Sequence, residues 1–64
     1  MNIIARKPVR QDSKSEWIVV DRGPGAHMQF VSATADEHSL SHGEWYWGHY
    51  FNTREQAMEH FNER

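Results

Sequence analysis

The chain has 64 residues, no cysteine, five histidines and a formal net charge of −2. That length allows one domain at most, and so small a fold buries only about 60% of the surface its unfolded chain exposes. Lack of cysteine excludes a disulfide scaffold, a cysteine-ligated zinc and a redox-active thiol, and fits a cytoplasmic protein.

No apolar run approaches the roughly 20 residues of a membrane helix. The opening MNIIARKPVRQDSKSE does not read as a secretory signal, because its short apolar stretch, Ile3–Ala5, precedes the charges instead of following them. Charge is unevenly spread. Residues 1–15 carry Arg6, Lys7, Arg10 and Lys14 against Asp12, a sum of +3, whereas residues 16–64 carry three arginines against eight acids, a sum of −5. The chain therefore divides into a basic N-terminal arm or edge strand, 1–15, and a single acidic sheet-plus-helix domain, 16–64. An acidic body disfavours non-specific nucleic-acid binding, which depends on neutralising phosphates.

In chain order, Ile3–Arg6 suits a short edge strand that Pro8 should end, since proline cannot donate to a sheet ladder. Residues 10–15 read as a loop. Glu16–Asp21, EWIVVD, has the β-branched and aromatic centre of a strand. Gly23, Pro24 and Gly25 mark a turn of about five or six residues. Met28–Ala33 is then the returning strand. Alternation puts Trp17 and Val19 on one face, Ile18 and Val20 on the other. Thr34–Gly43 is polar, with Leu40 its one anchor, and allows a single helical turn around Asp36–Leu40 capped by Thr34 or Asp36.

Glu44–Phe51 reads as the third main strand. Its aromatic residues sort into Trp45, Trp47, His49 and Phe51 on one face, and Tyr46, Gly48 and Tyr50 on the other. Phe51 precedes the next element, so the tryptophan face is expected under the helix, with His49 partly buried or a bulge near it. Thr53-Arg54-Glu55-Gln56 fits a capping box. Ala57, Met58 and Phe61 form the apolar stripe of the helix that follows, which at about ten residues is too short to stand alone.

The fold expected is α+β: an antiparallel meander of three strands, or four if the N-terminal segment joins, with one C-terminal helix on one face. Such a sheet is apolar on both faces, but the helix covers only one. The second face needs a cover: the chain's own Ile3, Ile4 and Val9, a second copy in a homodimer, or another protein. The expected function is that of a small non-enzymatic interaction protein of bacterial or phage accessory type. It would dock through Tyr46, Tyr50, Ile18 and Val20 on a protein partner or on itself. The alternative is a nucleic-acid binder that stacks bases on Tyr46 and Tyr50 and contacts phosphates through Arg6, Lys7, Arg10 and Lys14.

A further alternative is a metal module through His38 and His42, four apart and near Asp36 and Glu37, since zinc accepts such donors. The zinc-protease pattern H-E-x-x-H, a phosphate-binding loop and a nucleophile–base set are all missing, so no cofactor and no catalysis are expected. The junction Tyr50-Phe51-Asn52-Thr53-Arg54-Glu55-Gln56-Ala57 resembles, in architecture, the strand-to-helix step of arm-type DNA-binding domains of integrases. That family's sheet face is basic, whereas Glu16–Phe51 carries one arginine and five acids.

Overall fold

The computed structural model describes residues 2–64. The elements are β1 (Asn2–Val9), β2 (Asp12–Asp21), β3 (Phe30–Asp36), α1 (Glu37–Ser41), β4 (Tyr46–Phe51) and α2 (Arg54–Asn62). They form one antiparallel sheet in the order β1-β2-β3-β4, with α2 packed on one face. The α+β architecture is as the sequence implies, with the fourth strand present.

The N-terminal segment is a full edge strand. β1 runs through Pro8, which faces Glu16, and a register shift follows between Pro8 and Val9. An edge strand tolerates proline because its missing N–H need not serve the ladder. A turn at Arg10–Gln11 leads directly into β2, so residues 12–15, expected in a loop, are strand. The Asp12 carboxylate steadies this entry by accepting from the Lys14 N–H and the Ser15 hydroxyl, at 3.0 and 2.8 Å.

The β2–β3 connection is longer than expected, Arg22 to Gln29, closed by Arg22 N–H donating to the Gln29 carbonyl at 2.8 Å. Asp21 Oδ1 accepts from the Gln29 amide and the Gly23 N–H, and these bonds, the first above all, hold its carboxyl below the ordinary range. Gly23 takes φ +99°, which suits a residue without Cβ. Met28, expected in the strand, lies in this loop with φ +53°.

The sheet has two buried sides. On the α2 side, Val19, Ala57 and Phe61 are buried, flanked by Ile4, Ala5, Trp17, Phe30, Phe51 and Met58. On the opposite side, Ile18, Val20, Val31, Ala33 and Ala35 are buried, covered by Ile3, Leu40 and Trp45. Fully burying a side chain such as Ile18 or Val31 is worth about 1.5–3 kcal/mol. The second cover therefore comes mainly from the polar-looking segment after β3. Its helix α1 starts at a capping box. Ser39 N–H donates to Asp36 Oδ1 at 2.7 Å, and Asp36 N–H donates to Ser39 Oγ at 3.0 Å. One helical turn is enough to aim Leu40 inward.

Helix α2 is capped by Thr53, whose Oγ1 accepts the Gln56 N–H at 3.2 Å. Only this half of the expected capping box forms among the described residues. Ala57 and Phe61 face the sheet, as their spacing implies.

Candidate functional site: an aromatic edge strand beside a basic cleft

Strand β4 lies at the sheet edge and departs from simple alternation. Its register with β3 pairs Phe51, Tyr50 and His49 with Phe30, Val31 and Ser32, then shifts so that Tyr46 faces Thr34. Trp47 and Gly48 thus stand opposite Ala33 alone, which is a β-bulge. Trp47 takes φ +55° there. The extra residue reverses the facing of everything before it. Val31 and Thr34 are three apart, so their partners Tyr50 and Tyr46 sit on opposite faces.

Four expectations are corrected by this bulge and by the second cover. Tyr46 and Tyr50 do not share a face. Trp47, expected in the core, is 84% exposed. Trp45 covers the side away from α2 instead of the helix side. Ile18 and Val20, expected on an open surface, are fully buried. The second face is therefore closed within the chain. What remains exposed is the edge: Trp47 together with Tyr46 and Tyr50, 48% and 41% exposed.

Tyr50 is held in place. Trp45 Nε1 donates to its hydroxyl at 3.1 Å, and the Arg22 guanidinium lies 5.1 Å from its ring centre. Gly48 allows this packing, since a Cβ there would come within 3.0 Å of Trp45 Nε1.

On the α2 side, Trp47 borders a cleft of about 200 Å³ whose other walls include Trp17, Thr34, His49, His60 and Arg64. The His49 and His60 rings are 4.4 Å apart. Arg64 lies over the Trp17 ring at 5.5 Å and donates to His60 Nε2 at 2.7 Å. A guanidinium can only donate, so Nε2 must be unprotonated. The proton of a neutral His60 then sits on Nδ1, which donates to Ser32 Oγ at 2.8 Å. Burial first, then the charge of Arg64 and the neighbouring His49, hold His60 below the ordinary 6.5, with Glu63 opposing. This tautomer leaves His60 unable to take a proton from Ser32 through Nδ1, so the pair is not arranged as base and nucleophile. Sequence spacing gave no hint of this histidine pair, because strand and helix meet only in the folded chain.

A wider, shallower depression of about 1310 Å³ lies between β1 and α1. Arg6 and Lys14 stand there beside Glu16, Asp36 and Glu37, and such mixed charge selects no class of ligand.

Two of the basic N-terminal residues, Arg6 and Lys14, share that depression, and the four differ in their surroundings. Arg6 is paired with Glu16 through both nitrogen–oxygen contacts, which raises its pKa further. Lys7 Nζ donates to the carbonyls of Phe61 and Arg64. Arg10 lies in the turn and Lys14 on β2, both exposed. His38 and His42 do meet, ring edge to face at 4.6 Å. No group of three or more histidine and acidic side chains able to hold a metal ion occurs among the described residues. No helix among them is long and apolar enough to cross a membrane. Comparison with protein-family models, curated proteins and solved structures finds no match to this chain.

Proposed function

We propose that this chain is a small interaction module that docks through its β4 edge, onto a protein partner or a second copy of itself. Trp47 carries the reading. Its left-handed backbone costs an L-residue about 1–2 kcal/mol. At 84% exposure, burial within the fold returns little of that cost. Folding alone favours glycine or asparagine at such a position. A tryptophan there supplies a large rigid contact for something outside the fold, as tryptophans do at the centres of interfaces. Tyr46 and Tyr50 flank it on either side of the strand, and a sheet edge offers backbone groups for pairing.

Nucleic-acid stacking is the weaker reading. It needs both tyrosines on one platform, and two of the four arm cations already serve internal partners.

Sedimentation across a wide concentration range, on the wild type and Trp47→Ser, tests self-docking; loss of association in the variant supports it. If the wild type stays monomeric, selection from a displayed random-peptide library tests docking on a partner, with Trp47→Ser as the counter-target. Absence of both self-association and any Trp47-dependent binder overturns the reading.

A further inference from the structure

We infer that the cleft between Trp47 and α2 receives a carboxylate side chain, Asp or Glu, from an extended segment of a protein partner. This rests on the docking reading and names the chemistry of what docks.

Size comes first. At about 200 Å³ the cleft falls below the roughly 300–1,000 Å³ of small-molecule sites, yet it admits one side chain. Charge comes second. The body of the chain is acidic, but no carboxylate lines this cleft among the described residues. Its polar lining residues are Arg64, His49, His60, Ser32 and Thr34, the last with its hydroxyl already donating to the Tyr46 carbonyl at 3.1 Å. Arg64 is the one arginine, lysine or carboxylate side chain among the described residues that line the cleft, set in mostly apolar walls, which suits an anionic group carried on an apolar stem.

The third argument is preorganisation. Arg64 is fixed from two sides, over the Trp17 ring and by its bond to His60 Nε2. That bond uses one of five guanidinium N–H donors, and the remaining edge suits a planar carboxylate bound through two parallel hydrogen bonds. A side chain already held in place loses less entropy when it binds. Trp47 stands at the mouth, where it would close over the stem of the entering residue. A neutral His60 matters too. It accepts from Arg64 and so leaves the arginine as the fixed positive charge facing the ligand.

The test is the displayed random-peptide selection on the wild type, followed by affinity measurements on synthetic peptides from the enriched set. Expected are sequences with Asp or Glu at one fixed position. Changing that acid to its amide should weaken binding about tenfold, as should Arg64→Gln. The two changes together should cost about the same tenfold, because they remove one shared contact. Arg64→Lys should recover only part of the loss, since it keeps the charge but not the fork. The peptide substitution tests the wild-type protein, so it stands even if an Arg64 variant unfolds.

Enriched peptides without an acid, yet dependent on Trp47, overturn the carboxylate inference and leave edge docking in place. Losses that multiply to about a hundredfold overturn it as well, because they place the acid elsewhere. Displacement of the peptides by oligothymidylate at matched charge, with equal affinity, overturns it in favour of a general anion surface. If no Trp47-dependent binder emerges, the inference falls, and the sedimentation result alone then decides whether the docking reading survives.

Discussion

Lys7 Nζ donates to the Phe61 carbonyl at 2.9 Å, joining the first strand to the last helix across 54 positions of sequence. The same ammonium reaches the Arg64 carbonyl at 3.2 Å and lies 4.5 Å from the centre of the Phe61 ring. A helix ends with carbonyls that lack internal partners, and its dipole favours a cation there. Lys7 supplies both. Replacing it with methionine keeps most of the stem packing and removes the charge. Stability should fall by about 1 kcal/mol. An unchanged urea midpoint would show that the contact contributes nothing.

Trp47→Gly should make the isolated protein more stable, by about 1 kcal/mol, through relief of the left-handed backbone. For a domain of this size that corresponds to roughly 4–8 °C in Tm. Thermal unfolding of the two proteins checks it, and a lower Tm in the variant would mean the indole is holding the fold together.

Gly48→Ala should be destabilising. The new Cβ would meet Trp45 Nε1 at 3.0 Å, Tyr50 Cε1 at 3.1 Å and Trp45 Cδ1 at 3.2 Å. Both rings are tied to each other by a hydrogen bond, so neither moves freely. The expected loss is about 1–3 kcal/mol. The indole Nε1–H resonance of Trp45 should shift with it, and a wild-type denaturation curve with an unmoved resonance would refute the steric account.

His60 makes stability depend on pH. Its folded pKa lies below the ordinary 6.5, chiefly through burial, with Arg64 and His49 adding and Glu63 opposing. The unfolded chain therefore binds this proton more readily. Its contribution is fully present above pH 6.5 and is lost as pH falls towards and through the folded value. Protonation would also force an N–H on Nε2 against the Arg64 donor. Stability curves between neutral and mildly acidic pH should slope upward with pH, and His60→Gln should flatten that slope. An equal slope in the variant would assign it to other groups.

Much of the fold is legible in the sequence because its signals are local. Ile18, Val20 and Val31 alternate with Val19 and Phe30, and each set stays on one face. Thr53 stops the strand and starts the helix by the chemistry of its own hydroxyl. The losses come where one distant partner decides. Pro8 remains in a strand because β1 is an edge. The single turn capped by Asp36 and its anchor Leu40 are legible in the local chemistry, but nothing local shows that this turn is the second lid of the sheet. The bulge at Trp47 and Gly48 adds one residue to β4, which flips every facing before it. A bulge near His49 is one of the two arrangements the sequence allows, but a period of two does not choose between them or place the inserted residue. His49 and His60 come together only through the docking of α2, so the cleft they line has no trace in spacing.

The meander order has a kinetic consequence. Each strand pairs with its neighbour in sequence, so the sheet can assemble by short loop closures, which favours rapid folding for an antiparallel protein. Lys7 is different, because its partner lies at the far end of the chain. If that tie forms after the rate-limiting barrier, weakening it should leave the refolding rate nearly untouched and accelerate unfolding. The clasp between first strand and last helix would then govern how long the native molecule persists, and the hairpins how quickly it arises.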